Sequence, residues 1–172
     1  MTFFSRLLGT EPDPKDALRP LWHRVVGVAR TPALYSDCGV ADTLGGRFDM
    51  LTTVLAVVMI RMERDPDTVP ASARLAELFV EDMDGQLRES GMGDPAVGKQ
   101  IGKLMSALGG RTGALREGLA SRDEALLVAA IERNVTFAEN GSPECVARKL
   151  RGFAAKIGMI RYDELLQAEL SL

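Results

Sequence analysis

Apolar residues recur along this chain at intervals of three and four, and no segment alternates with the period of two that a half-buried strand requires. The pattern predicts an all-α fold, a single-domain irregular bundle of about seven helices. The first long helix is expected from about Asp16 to Arg30, with Leu18, Leu21, Trp22, Val25 and Val26 on one face. It should stop at Thr31-Pro32, because a residue preceding proline avoids helical geometry. Ala33 to Gly46 is rich in turn formers and reads as a loop. Arg47 to Glu63 then carries Phe48, Leu51, Leu55, Val58 and Met62 on one side, with Val54, Val57 and Ile60 on the others, the pattern of the most buried helix.

Asp65-Pro66-Asp67 ends that helix, and Ser72 is placed to cap the next, whose inward set is Leu75, Leu78, Phe79, Met83 and Leu87. Asp84 and Arg88 form an exposed pair one turn apart. Asp94 as cap and Pro95 at the first helical position open a helix carrying Val97, Ile101, Leu104, Met105 and Leu108, with Gly109-Gly110 expected to stop it. Ser121 and Glu124 have capping-box spacing ahead of Leu127, Ile131 and Val135. Ser142-Pro143 starts a helix with Val146, Leu150, Phe153 and Ile157 inward, and Tyr162 to Leu170 reads as a last short helix.

Composition narrows the function. The 172 residues hold 21 Lys and Arg against 24 Asp and Glu, a net charge of −3, so a polybasic nucleic-acid binder is excluded and no DNA partner is expected. A chain of this length buries enough surface to fold without metal or disulfide. Cys38 and Cys145 lie far apart and in no Cys-x-x-Cys pairing, so they are not expected to form a disulfide framework, and a reducing cytoplasm fits them. The longest apolar run, Val54 to Ile60, falls far short of the roughly 20 residues of a membrane span. The chain divides into an N-terminal segment, 1–13, and a helical domain, 14–172. In the segment, Phe3, Phe4, Leu7 and Leu8 are suited to a membrane interface, with Arg6 at the headgroups.

The chemistry-bearing patterns are few. Gly93 to Gln100 nearly spells a phosphate-binding loop, but Gln100 stands where magnesium needs a hydroxyl, and the segment before it reads as helix, not strand. His23 is the single histidine and adjoins Trp22, which suits packing or half-exposure better than general-base work. One histidine and two cysteines do not make a zinc set. No metal or cofactor is expected. Glu81, Asp82 and Asp84 read as a solvated helix face, since successive helical residues point apart. The eight methionines, six of them between Met50 and Met105, suit a core filler or a surface that accepts irregular apolar segments.

Three stretches together resemble the ubiquinol-cytochrome c chaperone family. The first is Leu34-Tyr35 followed by Gly39-Val40-Ala41-Asp42-Thr43 and Gly46-Arg47-Phe48-Asp49-Met50-Leu51. The second is Phe79-Val80-Glu81-Asp82-Met83-Asp84 with Leu87-Arg88-Glu89 and Gly91-Met92-Gly93-Asp94; the third is Val97-Gly98-Lys99 running on to Met105 and Gly110-Arg111. The resemblance is dense from Leu34 to Arg111 and looser to about Phe153.

What the resemblance implies is a non-enzymatic assembly chaperone that binds newly made cytochrome b and supports biogenesis of the cytochrome bc1 complex. The polar residues of the three stretches become the partner-binding candidates: Tyr35, Asp42, Arg47, Asp84, Arg88, Asp94, Lys99 and Arg111. Each also has a structural reading, since Asp42 and Asp94 suit helix caps and Arg47 and Arg88 suit ion pairs one turn away. The implied partners are cytochrome b or another bc1 subunit, with the ribosome or a small protein as further contacts. The implied location is the cytoplasm, peripheral at the inner face of the plasma membrane. The alternative is a small helical adaptor, or a cofactor-binding protein using the Gly91–Lys99 loop.

Overall fold

Eight α-helices and two 3-10 turns make up the secondary structure of the described residues, 13–167 and 170–172 of a computed structural model. The helices are α1 (Arg19–Ala29), α2 (Pro32–Ser36), α3 (Leu44–Met62), α4 (Val69–Glu89), α5 (Asp94–Ala120), α6 (Glu124–Asn134), α7 (Pro143–Gly158) and α8 (Tyr162–Leu165). The only β-type pairing among the described residues is an isolated bridge between Val40 and Phe137. The expected segment 1–13 lies outside the described residues up to position 12.

Helix α3 is the axis of the bundle and packs against α1, α4, α5 and α7. Its unbroken buried run from Thr52 to Val58 follows from apolar residues on every side of the helix. Above it, Trp22 and Phe79 meet edge to face at 6.2 Å between ring centres, joining α1 to α4.

Several boundaries differ from the sequence reading, each for a local reason. Helix α3 starts at Leu44 rather than Arg47 because the Thr43 hydroxyl accepts a hydrogen bond from the Gly46 N–H. Gly46 packs so closely on the Ala41 backbone that no larger residue fits there. Within the expected loop, Pro32–Ser36 forms the short helix α2. Helix α4 begins at Val69, so Ser72 lies inside it, buried, and caps nothing. Asp94 is the first residue of α5, not its cap. At α6 the capping residue is Asp123, whose carboxylate accepts from the Ala125 N–H at 3.0 Å. Helix α8 ends at Leu165, short of Leu170.

The largest difference is at Gly109-Gly110, which does not stop α5. The burial of Leu108, Arg111, Thr112 and Leu115 outweighs a propensity loss of about 1 kcal/mol per glycine. Further along, a Cβ on Gly118 would sit 2.8 Å from the Leu127 Cα, so that glycine sets how closely α6 approaches α5. Arg151 of α7 caps the end of α5, donating to the Gly118 and Ser121 carbonyls at 3.1 and 3.2 Å.

The expectation of unpaired cysteines is corrected. Cys38 and Cys145 form a disulfide with their Cα atoms 5.3 Å apart, well inside bridging range. Sequence distance hid this proximity. The loop after α2 and the loop before α7 clasp each other through three backbone bonds: Ala41 N–H to Thr136 O (2.9 Å), Ala138 N–H to Gly39 O (2.9 Å) and Ser142 N–H to Cys38 O (2.8 Å). Gly39 makes the clasp possible with φ of 69°, a left-handed conformation that other residues rarely adopt. The cysteines therefore lend no support to a reducing compartment.

The bridge closes a loop with a sequence separation of 107, for which the chain-entropy account gives a stabilisation of about 4–5 kcal/mol. Denaturant unfolding of Cys145→Ser without reductant is expected to show a loss of about 3–5 kcal/mol. Thiol titration of the unfolded native protein should find no free thiol. Two titratable thiols and an unchanged midpoint would contradict the pairing.

Candidate functional site

A single buried carboxylate organises the middle of the molecule. One oxygen of Asp49 in α3 is paired with the guanidinium of Arg111 in α5. Its other oxygen accepts from the Thr136 N–H at 3.0 Å and from the Thr136 hydroxyl at 2.7 Å. Arg111 also donates to the Thr52 hydroxyl, which in turn donates to the Phe48 carbonyl at 2.9 Å. Asp49 and Arg111 are each only 9% exposed, so the pair stands in a low-dielectric interior with its bonding capacity largely used.

This network positions an aromatic ring. The Arg111 guanidinium lies 5.6 Å from the centre of the Phe48 ring, within cation–π range. On another side Phe48 meets Phe79 at 6.2 Å between centres. Phe48 is partly buried, and its remaining surface lines an open groove of about 620 Å³ between α1, α3, α4 and α5. The groove is apolar inside, with Val26, Leu51, Met83, Leu87 and Leu104 around Phe48. Polar groups occupy its edge: Arg30, Arg47, Asp82, Gln86 and Gln100. Leu44, also in the lining, is 85% exposed, an apolar side chain held out to solvent at the first position of α3.

The sequence candidates fall into separate places. Arg47 lines the groove and is paired with Asp42 at 2.6 Å; that bond holds the Asp42 carboxyl below the usual carboxylate range. Tyr35 is half-buried behind this pair and donates to the Ala29 carbonyl at 2.8 Å, while burial raises its phenol pKa. Arg88 bonds Asp84 at 2.6 Å and also pairs with Asp94, tying the end of α4 to the start of α5. The Asp84 carboxylate first, then Asp94, hold the Arg88 guanidinium above its ordinary pKa. Lys99 is exposed on α5. Arg111, expected at a partner surface, is instead inside the protein and fixes Phe48 from behind.

The acidic stretch is engaged rather than idle. Glu81 pairs with Lys15, and Asp82 accepts from the Trp22 indole N–H at 3.2 Å. His23 is exposed. The groove residues Leu44, Phe48, Leu51, Met83 and Leu104 were not singled out as a site from sequence, because the periodicity that marks an inward face is the same for a filled core and an open groove. The one available signal was the excess of apolar residues around α3, more than one face can bury.

The ubiquinol-cytochrome C chaperone family model matches residues 36–161. The chain belongs to this family. The matched span contains α3 to α7 and the Asp49, Arg111 and Thr136 network, so the family assignment and the groove rest on the same part of the molecule. Among solved structures, the crystal structure of the Cbp3 homolog from Brucella abortus is similar: 28% identity, a TM-score of 0.77, and coverage of 91% of this chain and 88% of that one. The all-helical architecture is thus shared along nearly the whole length. Among curated proteins, no sequence matches.

Because Asp49 has Arg111 as its buried counter-charge, removing the arginine leaves an uncompensated carboxylate. Arg111→Ala is expected to destabilise the fold by about 3–5 kcal/mol in urea unfolding. The double variant Asp49→Asn/Arg111→Met should recover a large part of that loss. A single-variant loss below about 1 kcal/mol would show that the pair does not organise the site.

Proposed function

We propose that this chain is an assembly chaperone of the cytochrome bc1 complex and that its groove holds an apolar helix of newly made cytochrome b, or of another bc1 subunit, until that subunit is assembled. The observation that carries this reading is an open apolar groove, floored by Phe48 and edged by the exposed Leu44, in a member of the ubiquinol-cytochrome c chaperone family. Four helices supply its walls, and an α-helix about 10–12 Å across can lay one face into such a trough.

The magnitudes favour holding over permanent capture. Burying one Leu or Phe contributes about 1.5–3 kcal/mol, so three anchors give roughly 5–9 kcal/mol before costs. Association itself costs about 4–15 kcal/mol, which leaves a weak complex that releases its client readily. Met83 in the lining is unbranched and polarizable, and can adapt to client side chains of differing shape. The polar edge tolerates water, which keeps the empty groove compatible with a dissolved protein.

No described helix is long and apolar enough to cross a membrane. We place the protein's work at the cytoplasmic face of the membrane, where a membrane subunit is made, and assign it no catalytic role. Of the candidates, Arg47 lines the groove and Asp42 holds it in place, so this pair bears on client orientation, while Tyr35 bonds the Ala29 carbonyl at the end of α1. Asp84, Arg88, Asp94 and Lys99 belong to the neighbouring helical junction and suit a second protein contact.

Deletion of the gene in its own host is expected to lower the b-type haem spectrum and the amount of bc1 complex detected with antibody. The native gene should restore both, and Leu44→Glu should not. Because Leu44 is 85% exposed, that change should alter stability by no more than about 0.5 kcal/mol, so its failure would be a binding failure. Normal bc1 levels in the deletion strain would defeat the chaperone reading.

A further inference from the structure

We propose that the Cys38–Cys145 disulfide is a site of reversible exchange with a dithiol reductant, and that its reduction loosens the floor of the groove and releases a held helix. This deepens the reading of the groove as a client site at the cytoplasmic face of the membrane, and it rests on that reading.

That location bears on what the bond is for. Cytosolic thiols are kept reduced, and a disulfide formed there is ordinarily catalytic or redox-responsive rather than a permanent staple. The two cysteines are also unequal. Cys38 is fully buried, whereas Cys145 keeps exposed surface, so an incoming thiolate attacks at Cys145. Cys145 is the third residue of α7, and its N–H donates to the Ser142 hydroxyl at 3.1 Å. A thiolate freed in the first turn of a helix is favoured by the dipole there, which makes the disulfide easier to reduce.

The exchange needs nothing beyond the dithiol. A reductant thiolate bonds the Cys145 Sγ, the bond between the two cysteines breaks, and Cys38 leaves with the electron pair and takes up a proton. The second reductant thiolate then attacks the reductant sulfur of the mixed disulfide. Cys145 is released, the reductant departs as an internal disulfide two electrons poorer, and the two protons of the dithiol end on the two cysteines.

The bond ties loop 37–43 to the start of α7, just after loop 135–142, and both loops lead to the groove floor. In the first loop, Ala41 packs against Gly46 and Thr43 caps α3 at Leu44. In the second, Thr136 supplies both hydrogen bonds to one oxygen of Asp49, whose other oxygen holds Arg111 behind Phe48. With the sulfurs parted, the clasp depends on its three backbone bonds, one of them to the Cys38 carbonyl itself. When these open, one Asp49 oxygen loses both of its donors, while the packing of α3 against α1, α4, α5 and α7 remains. Leu44 and Phe48 then stand on a stretch that is no longer held, and the groove loses its shape for a client.

The test uses the purified full chain, oxidised, in mixtures of reduced and oxidised dithiothreitol. Iodoacetamide labelling read by mass spectrometry counts thiols, and circular dichroism follows helix content. Hydrogen exchange follows residues 38–49 and 134–142, and a fluorescent apolar helical peptide reports on the groove. Reduction without denaturant is expected to yield two thiols, leave helix content unchanged and speed exchange in both segments. Peptide binding should weaken about tenfold, as when the competent state falls from nearly all to a tenth of the population. Reoxidation should restore it. The variant Cys38→Ala/Cys145→Ala should bind like the reduced protein and ignore dithiothreitol, and the native chain's reduction and reoxidation decide the matter even where that variant fails to fold. A disulfide that yields only in denaturant, or a loss of helix along with the affinity, would overturn the proposal and leave the bond a structural staple. If both redox forms bind peptide equally, the switch fails while the client site stands. If neither form binds peptide, the client site fails, and exchange in 38–49 alone decides whether the disulfide governs the groove floor.

Discussion

The carboxylate of Asp49 is the constraint on which the rest of the architecture depends. It is withdrawn from water in the second turn of α3, so it must be met by charge and hydrogen bonds, and Arg111 and Thr136 meet it from two other elements. Satisfying one buried group therefore fixes α5 and the α6–α7 loop against α3. A buried pair of this kind is weak evidence for net stability, since apolar residues of the same volume often do as well. Its value here is positional: Arg111 reaches its site only if α5 continues through Gly109-Gly110, and once there it backs the ring of Phe48.

The loop clasp completes that arrangement from the other side. Thr136 belongs to the same segment that bonds Ala41 and carries the bridge to Val40, and the Cys38–Cys145 disulfide closes the clasp. The start of α3 is thus held at both ends of a short stretch, by the Thr43 cap on one side and by Asp49 on the other. Leu44 and Phe48 lie on this held stretch, and Leu51 follows just beyond it. The Phe48 side of the groove is thus anchored from behind by the Asp49–Arg111 pair and from the helix start by the Thr43 cap.

How much of this was legible in the sequence depends on the range of the interaction concerned. The helix count, the central position of α3 and the inward sets of α4 and α7 follow from periodicity, which is local, and the Ser142 cap and the Asp84–Arg88 pair are as expected. The Gly109-Gly110 stop failed because propensity is a smaller quantity than the burial of four neighbouring residues. The disulfide was missed because residues far apart in the chain are brought together by topology alone. Arg111 was read as a surface contact because a sequence cannot distinguish an arginine facing a partner from one facing Asp49 inside the same molecule. The groove shares its apolar code with the core, and only the helix arrangement separates Phe48, which keeps an open face, from Phe79, which has none.

The proposed holding of apolar segments rests on an apolar trough with a polar edge, and membership of the ubiquinol-cytochrome c chaperone family gives that proposal its direction. The most direct measurement is photo-cross-linking in the native host with p-benzoylphenylalanine placed at Leu44, beside the groove, or at Leu126, an exposed leucine on α6 away from it. The account predicts an adduct with cytochrome b or another bc1 subunit from position 44 and none from position 126. Equal capture from both positions, or none from position 44, would contradict it.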